Sequence, residues 1–178
     1  MKLIILDRDG VINEDSDDYI KSPDEFIPIA GSFAAIARLK QAGYIVVVAT
    51  NQSGIARRLF DIGTLNAIHE KQHRELAHYG AGLDGIFFCP HGPEDACECR
   101  KPKAGLLRDI ATRFQVDLAG VPSIGDSLRD IEAAREAGAT PMLVKTGKGE
   151  RTLDEHAAEL RDVVVYDDLA RAVDALVN

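Results

Sequence analysis

The chain has 178 residues, 46% of them apolar and 28% charged, with a formal net charge of −8, which is the size and balance of one globular domain over residues 1–178. The acidity argues against nucleic acid as a partner, and no apolar run approaches the roughly twenty residues that a membrane span needs. Three cysteines confined to residues 89–99 are not a disulfide framework. The first residues lack the basic and apolar regions of an export signal, so a cytoplasmic monomer is expected.

The first apolar run, Leu3-Ile4-Ile5-Leu6, shows no alternation and reads as a strand buried on both faces, as in a parallel sheet. It leads straight into Asp7-Arg8-Asp9-Gly10. Two carboxylates at the carboxyl end of such a strand lie on the edge where open α/β sheets bind ligands. The same tetrapeptide also reads as a turn with solvated acids. Charges beside a core, however, need hydrogen bonds or a cation, and a hard divalent ion such as Mg²⁺ provides one. Gly10 is expected to let the backbone pass close to whatever is bound.

Residues 14–30, broken by Pro23 and Pro28, read as a loop over that edge. Ser32 is expected to cap a helix reaching about Ala42, and Tyr44–Ala49 is a second buried strand running into Thr50-Asn51-Gln52-Ser53-Gly54. A helix follows from about Thr64 to His78, then a strand over Gly85–Cys89, a helix over Lys103–Phe114 and a short strand over Pro122–Ile124. Ser127 caps a further helix through Ala137. Strands at Thr140–Val144 and Val163–Tyr166 and helices at Thr152–Leu160 and Asp168–Val177 complete the chain. This alternation predicts a Rossmann-like, doubly wound, mostly parallel sheet with helices on both faces. No Gly-x-Gly-x-x-Gly follows the first strand, so no dinucleotide is implied. About forty residues separate Asp9 from Thr50, too few for an inserted cap domain, and the site should be open.

Three more polar groups fall at strand ends or helix starts. Thr50-Asn51 offers a hydroxyl and N–H donors suited to phosphate oxygens, though the pair also reads as a plain turn. Arg100-Lys101-Pro102 offers two permanent cations ahead of a helix. Gly125-Asp126-Ser127 brings another carboxylate, with Asp130 one turn on, though it also reads as a helix cap. Separately, Cys89, His91, Cys97 and Cys99 have the composition of a closed Cys₃His zinc site, structural because no coordination position is left open. A buried thiol and a solvated histidine are the alternative.

Taken in order, Asp7-x-Asp9, Thr50-Asn51, Lys101 and Gly125-Asp126 resemble the four motifs of the haloacid dehalogenase superfamily of phosphotransferases, from Leu3 to at least Ala137. The resemblance implies that Asp7 is the nucleophile, forming an aspartyl phosphate, and that Asp9 is the acid/base that handles the leaving-group proton, a phosphatase's need and not a dehalogenase's. It implies Mg²⁺ at Asp7, Asp126 and the Asp9 backbone carbonyl, with phosphoryl oxygens on Thr50, Asn51 and Lys101. Lys101 is preferred to Lys103 because the family pattern is Lys-Pro-x-Pro-Gly, with Ala104 here replacing the second proline.

The zinc loop, Asn51-Gln52-Ser53-Gly54-Ile55-Ala56-Arg57 and Cys99-Arg100-Lys101-Pro102 further resemble the heptose 1,7-bisphosphate 7-phosphatases of lipopolysaccharide core biosynthesis, and next the histidinol-phosphatase domain. That likeness implies a small sugar bisphosphate as substrate, met by Gln52, Ser53, Arg57 and Arg100 and by Asp15 and Asp18 on the rim. Arg58 stands where that family commonly has glycine, and the rim loop Asp15-Ser16-Asp17-Asp18 is more acidic than usual. Two other classes compete: a zinc-braced interaction domain, and a phosphoacceptor signalling domain, which the order of motifs and the zinc loop oppose.

Overall fold

Strand β1, Lys2–Leu6, turns Leu3 and Ile5 to one face and Ile4 and Leu6 to the other, and both faces are covered. That double burial is why the run lacks polar alternation. The computed structural model describes residues 1–178. The remaining strands are β2 (Tyr44–Asn51), β3 (Gly85–Cys89), β4 (Pro122–Gly125), β5 (Thr140–Val144) and β6 (Val164–Tyr166). They form one sheet of order β3-β2-β1-β4-β5-β6, with every pairing parallel. The helices are α1 (Ser32–Gln41), α2 (Ile62–Ala77), α3 (Gly105–Phe114), α4 (Leu128–Ala137), α5 (Gly149–Glu155) and α6 (Leu169–Val177). The doubly wound architecture is the one expected, and no helix is long and apolar enough to cross a membrane.

On one face α1, α2 and α6 bring Phe33, Ile36, Leu39, Ile68, Leu76 and Val173 onto Ile4, Leu6, Val46 and Val48. On the other, α3 and α4 bring Leu106, Leu107, Ile110, Ala133 and Ala134 onto Leu3, Ile5, Val47 and Ala49. Each fully buried Leu or Ile contributes about 1.5–3 kcal/mol, so the strand ends are held by two packed layers. The strand order reverses at β1, between β2 and β4, and the crevice outside their carboxyl ends is where such sheets bind ligands.

Several boundaries differ from expectation, some set by a local cap and others by a contact distant in sequence. Ser32 is the first residue of α1 and not its cap: Gly31 takes that place at φ +85°, and the Ser32 hydroxyl donates to the Ile12 carbonyl at 2.7 Å. Helix α2 starts at Ile62 because the Asp61 carboxylate accepts from the Thr64 N–H at 2.8 Å. Helix α3 starts only at Gly105, since Lys103 and Gly105 spend their N–H groups on the Arg100 and Glu98 carbonyls. Helix α5 covers Gly149–Glu155 instead of Thr152–Leu160, and buried Thr152 donates its hydroxyl to the Asp126 carbonyl at 3.0 Å.

Candidate active site

Asp7 continues the sheet, its N–H donating to the Ile124 carbonyl at 2.9 Å, and Asp126 follows directly on β4. Carboxylate oxygens of Asp7, Asp126 and Asp130 lie within 4.8 Å of one another. Burial pushes the Asp7 carboxyl up to about 7 against the pull of Lys101. Burial, then repulsion from Asp130 and Asp7, pushes Asp126 up to about 8. Lys101 alone does not offset two acids driven this way at neighbouring strand ends, and a divalent cation would, so the oxygen donor set fits Mg²⁺.

Asp130 differs from both. Burial opposes its charge too, but the Lys101 ammonium at 2.6 Å and the Ser127 hydroxyl outweigh it and hold the carboxyl below its ordinary range. Its Oδ2 also accepts the N–H groups of Asp126 and Ser127, so Asp130 shapes the loop that carries Asp126.

Lys101 is 4% exposed and its Nζ reaches Ala49 O at 2.8 Å, Asp130 Oδ1 at 2.6 Å and Asp7 Oδ1 at 3.0 Å. Burial opposes its charge, but the two carboxylates outweigh that and raise its pKa. Lys103, by contrast, is exposed and pairs with Glu98. The Asn51 side chain clamps the Lys101 backbone from both sides, donating to its carbonyl and accepting from its N–H, each at 3.0 Å. The end of β2 and the loop before α3 are thereby tied together.

Gly10 packs against the Asp126 carboxylate. At φ +86° a Cβ there would fall 2.0 Å from Asp126 Oδ2, and one on Gly147 would fall 2.3 Å from the same atom. The two bare backbones leave a slot for the Asp126 carboxylate, which accepts the Lys148 N–H at 2.8 Å. The close approach is to a carboxylate of the candidate cation site.

Above this floor lies a cleft of about 330 Å³, lined almost wholly by polar and charged side chains. Asp9, Thr50, Asn51, Ser53, Arg57, Arg100 and Asp15 all line it. Gln52 lies beneath, buried, its amide donating to Thr50 Oγ1 at 2.9 Å and Asp9 Oδ2 at 3.2 Å. Asp18 is exposed and outside the lining, its carbonyl accepting from Lys21. Arg57 stacks over the Tyr19 ring, 5.8 Å from its centroid. Burial and the neighbouring charges of Arg129 and Arg57 pull the Arg100 guanidinium below its ordinary range. None of these three arginines forms an ion pair.

The Cys/His loop closes on itself beside Arg100. Cys89 Sγ lies 3.4 Å from His91 Nδ1, 3.8 Å from Cys97 Sγ and 3.0 Å from Cys99 Sγ, and His91 Nδ1 is 3.3 Å from Cys99 Sγ. Tetrahedral zinc with bonds of about 2.3 Å to sulfur and 2.0 Å to nitrogen has ligand-to-ligand edges of roughly 3.5–3.8 Å; three of these spacings are close to that, Cys89–Cys99 is shorter, and all four atoms lie within 4.8 Å of one another, so the group is compatible with such a cage. Burial pushes the Cys89 thiol up to about 12. A cation at the centre is what would hold it as thiolate.

The polynucleotide kinase 3 phosphatase family model matches residues 2–129, and the HAD-hydrolase-like model matches residues 98–172. The D-glycero-beta-D-manno-heptose-1,7-bisphosphate 7-phosphatase of Bordetella bronchiseptica is 59% identical over 178 residues, spanning 100% of this chain and 99% of that one. Its Pseudomonas aeruginosa counterpart is 54% identical over 176 residues, spanning 99% and 98%. The chain belongs to the heptose-1,7-bisphosphate 7-phosphatase family. It is a phosphatase of the haloacid dehalogenase superfamily.

Within this phosphatase family, the crystal structure of the B. bronchiseptica enzyme, complexed with magnesium and phosphate, superposes with a TM-score of 0.96 at 60% identity over 99% of this chain and 98% of that one. The Burkholderia thailandensis structure gives 0.77 at 45% identity, with 100% of both chains covered. The phosphatase cleft also holds residues that the sequence reading missed: Tyr19, Arg129 and Lys148. Lys148, whose Nζ lies 3.4 Å from Asp15, arrives from the loop after β5. Arg129 is the second residue of α4, and nothing in its local pattern separates it from a solvated helix cation.

Proposed function

We propose that the chain removes the 7-phosphate of D-glycero-β-D-manno-heptose 1,7-bisphosphate through an aspartyl-phosphate intermediate. The observation that carries this is one cleft with acids on its floor and three unpaired arginines, Arg57, Arg100 and Arg129, on its wall. The floor suits phosphoryl transfer, and the wall suits a second phosphate on the same small sugar. The substrate named for the relatives has both groups.

In this reading Asp7 attacks the phosphorus, and Asp9 gives its proton to the departing sugar oxygen and then takes one from the water that releases phosphate. Lys101 faces Asp7 before attack and the phosphoryl oxygens as charge moves onto them. Thr50 and the Asn51 backbone border the same oxygens. Asp7, Asp126 and the Asp9 carbonyl would hold Mg²⁺, whose charge offsets repulsion between carboxylate and phosphate when bound.

Comparing kcat/KM for the heptose bisphosphate and for histidinol phosphate tests the reading. Histidinol phosphate places an ammonium where the wall offers guanidinium groups, so the bisphosphate should be strongly preferred. Arg129→Ala should cost about 10- to 100-fold on the bisphosphate, since a charged hydrogen bond contributes about 1.5–3 kcal/mol, and little on a monophosphate. Equal turnover of the two substrates, unchanged by that variant, would remove the second-phosphate wall from the account.

Zinc at Cys89, His91, Cys97 and Cys99 is proposed as a brace for the loop that presents Arg100 and Lys101. Elemental analysis should find about one zinc per chain, retained through dialysis that strips Mg²⁺. In Cys99→Ser the zinc content should fall and KM rise, with circular dichroism of the sheet nearly unchanged. Activity regained with zinc alone after chelation would contradict a purely structural role.

A further inference from the structure

Arg8 separates the two aspartates in sequence, yet its side chain is fully buried, 0% exposed. A buried guanidinium keeps its charge and has to be paired. Two of its arms fork onto Asp9, with Nε donating to Oδ1 at 2.9 Å and Nη2 to Oδ2 at 3.2 Å. The third arm, Nη1, meets His69 Nε2 at 3.1 Å across 61 residues of chain. An arginine nitrogen only donates, so Nε2 is the acceptor and the ring proton sits on Nδ1. Burial, then the charge of Arg8, drives the pKa of His69 down to about 3, which keeps that acceptor available.

Asn13 Nδ2 at 2.8 Å and Gln52 Nε2 at 3.2 Å complete the donors on Asp9. Both come from loop or strand-end positions. His69 is different: it sits in α2 between Leu65, Ile68 and Leu76, all fully buried. A forked guanidinium leaves the carboxylate only the plane of the fork, and the third arm fixes that plane.

We propose that His69, acting through Arg8, is a positioning residue that fixes the orientation of the acid/base carboxylate of Asp9. The proposal rests on the role given to Asp9 under the function above. It predicts an effect confined to proton transfer. Loss of the acceptor lets the fork rotate, and misplacement of a catalytic group by about 1 Å can cost 10²-fold.

The test compares kcat/KM, which reports the step that phosphorylates Asp7, for two esters. The heptose bisphosphate has an alkoxide leaving group that needs a proton, whereas p-nitrophenyl phosphate releases a stable phenolate that does not. In His69→Leu, kcat/KM for the sugar ester should fall about 10- to 100-fold while that for the aryl ester changes about threefold or less. His69→Gln, whose carbonyl can accept from Arg8, should stay near wild type on both. Equal losses on the two esters, or none on either, would overturn the proposal. Nitrogen-15 NMR of the wild-type protein gives an independent reading that does not depend on a folded leucine variant. A bare Nε2 and protonated Nδ1 are expected at neutral pH, and the opposite tautomer would overturn the arrangement. A wild-type protein that hydrolysed neither ester with Mg²⁺ would overturn the function beneath the proposal, an outcome distinct from equal losses in the variant.

Discussion

Asp7→Asn should lose about 10⁴-fold or more of phosphate release, some 5–6 kcal/mol of transition-state stabilisation at about 1.36 kcal/mol per factor of ten. An amide lacks both the nucleophilic lone pairs of a carboxylate and the charge that attracts Mg²⁺. The fold should not suffer. Asp7 is half-buried at a strand end where desolvation already works against its charge, and Lys101 keeps Asp130 at 2.6 Å when Asp7 is neutralised. The metal-free melting temperature should therefore be no lower than wild type, while the rise in melting temperature on adding Mg²⁺ shrinks. Stoichiometric radiolabelling by a phosphate donor should vanish with turnover. A variant with near-normal rates, or one that still accumulates a phosphoenzyme, would place the nucleophile elsewhere.

Asp9→Asn should cost about 10²–10⁴-fold on the sugar ester, the usual range for a positioned proton donor. Arg8, Asn13 and Gln52 all donate to this carboxylate, and the amide retains one oxygen for them. Its new N–H₂ must then face one of those donors, so some local rearrangement accompanies the loss. Because Asp9 lies off the cation wall, KM for the bisphosphate should change little and the effect should fall on kcat. A phosphoenzyme formed from an aryl ester and then slow to hydrolyse would be the corresponding sign that the water-activating step has gone too. An unchanged rate on the sugar ester would exclude Asp9 from proton transfer.

Two acids of the cleft floor were legible in the sequence because each sits at the end of an apolar strand, a position that a few consecutive residues reveal. Asp7 after Ile4-Ile5-Leu6 and Asp126 after Ser123-Ile124 are of that kind. Lys101 was legible only through its motif, and its burial between Asp7 and Asp130 depends on α4 and the Asn51 clamp, which no local pattern encodes. The wall was half legible. Arg57 and Arg100 lie in distinctive loops, whereas Arg129 has the spacing of an ordinary helix surface residue and becomes special only because α4 starts at the cleft. His69 was hidden for the same reason: at helical spacing with Leu65 and Ile68 it reads as one more residue on the packed face of α2. The misplacement of α5 has a similar cause, since its start depends on contacts with the Asp126 loop far away in sequence. Asp18 shows the converse, an acid beside true rim residues that the turn points outward.

The slot formed by Gly10 and Gly147 couples the loops after β1 and β5, two strands that flank β4 and are not paired with each other. A Cβ on Gly147 would lie 2.5 Å from the Gly10 Cα as well as against Asp126, so the loops after β1 and β5 meet there with no space for another atom. Drift at either position is thus closed to every residue with a side chain while Asp126 keeps its rotamer, and the two sites are not free to vary one at a time. Moving the carboxylate, and with it the cation site, would relieve the worst clash at Gly10 but not the one between a side chain on Gly147 and the Gly10 Cα. Recombination faces the same lock: a chimera that takes its first strand from one relative and its fifth from another inherits two backbones that must fit around one carboxylate, although neither segment alone carries any mark of the other.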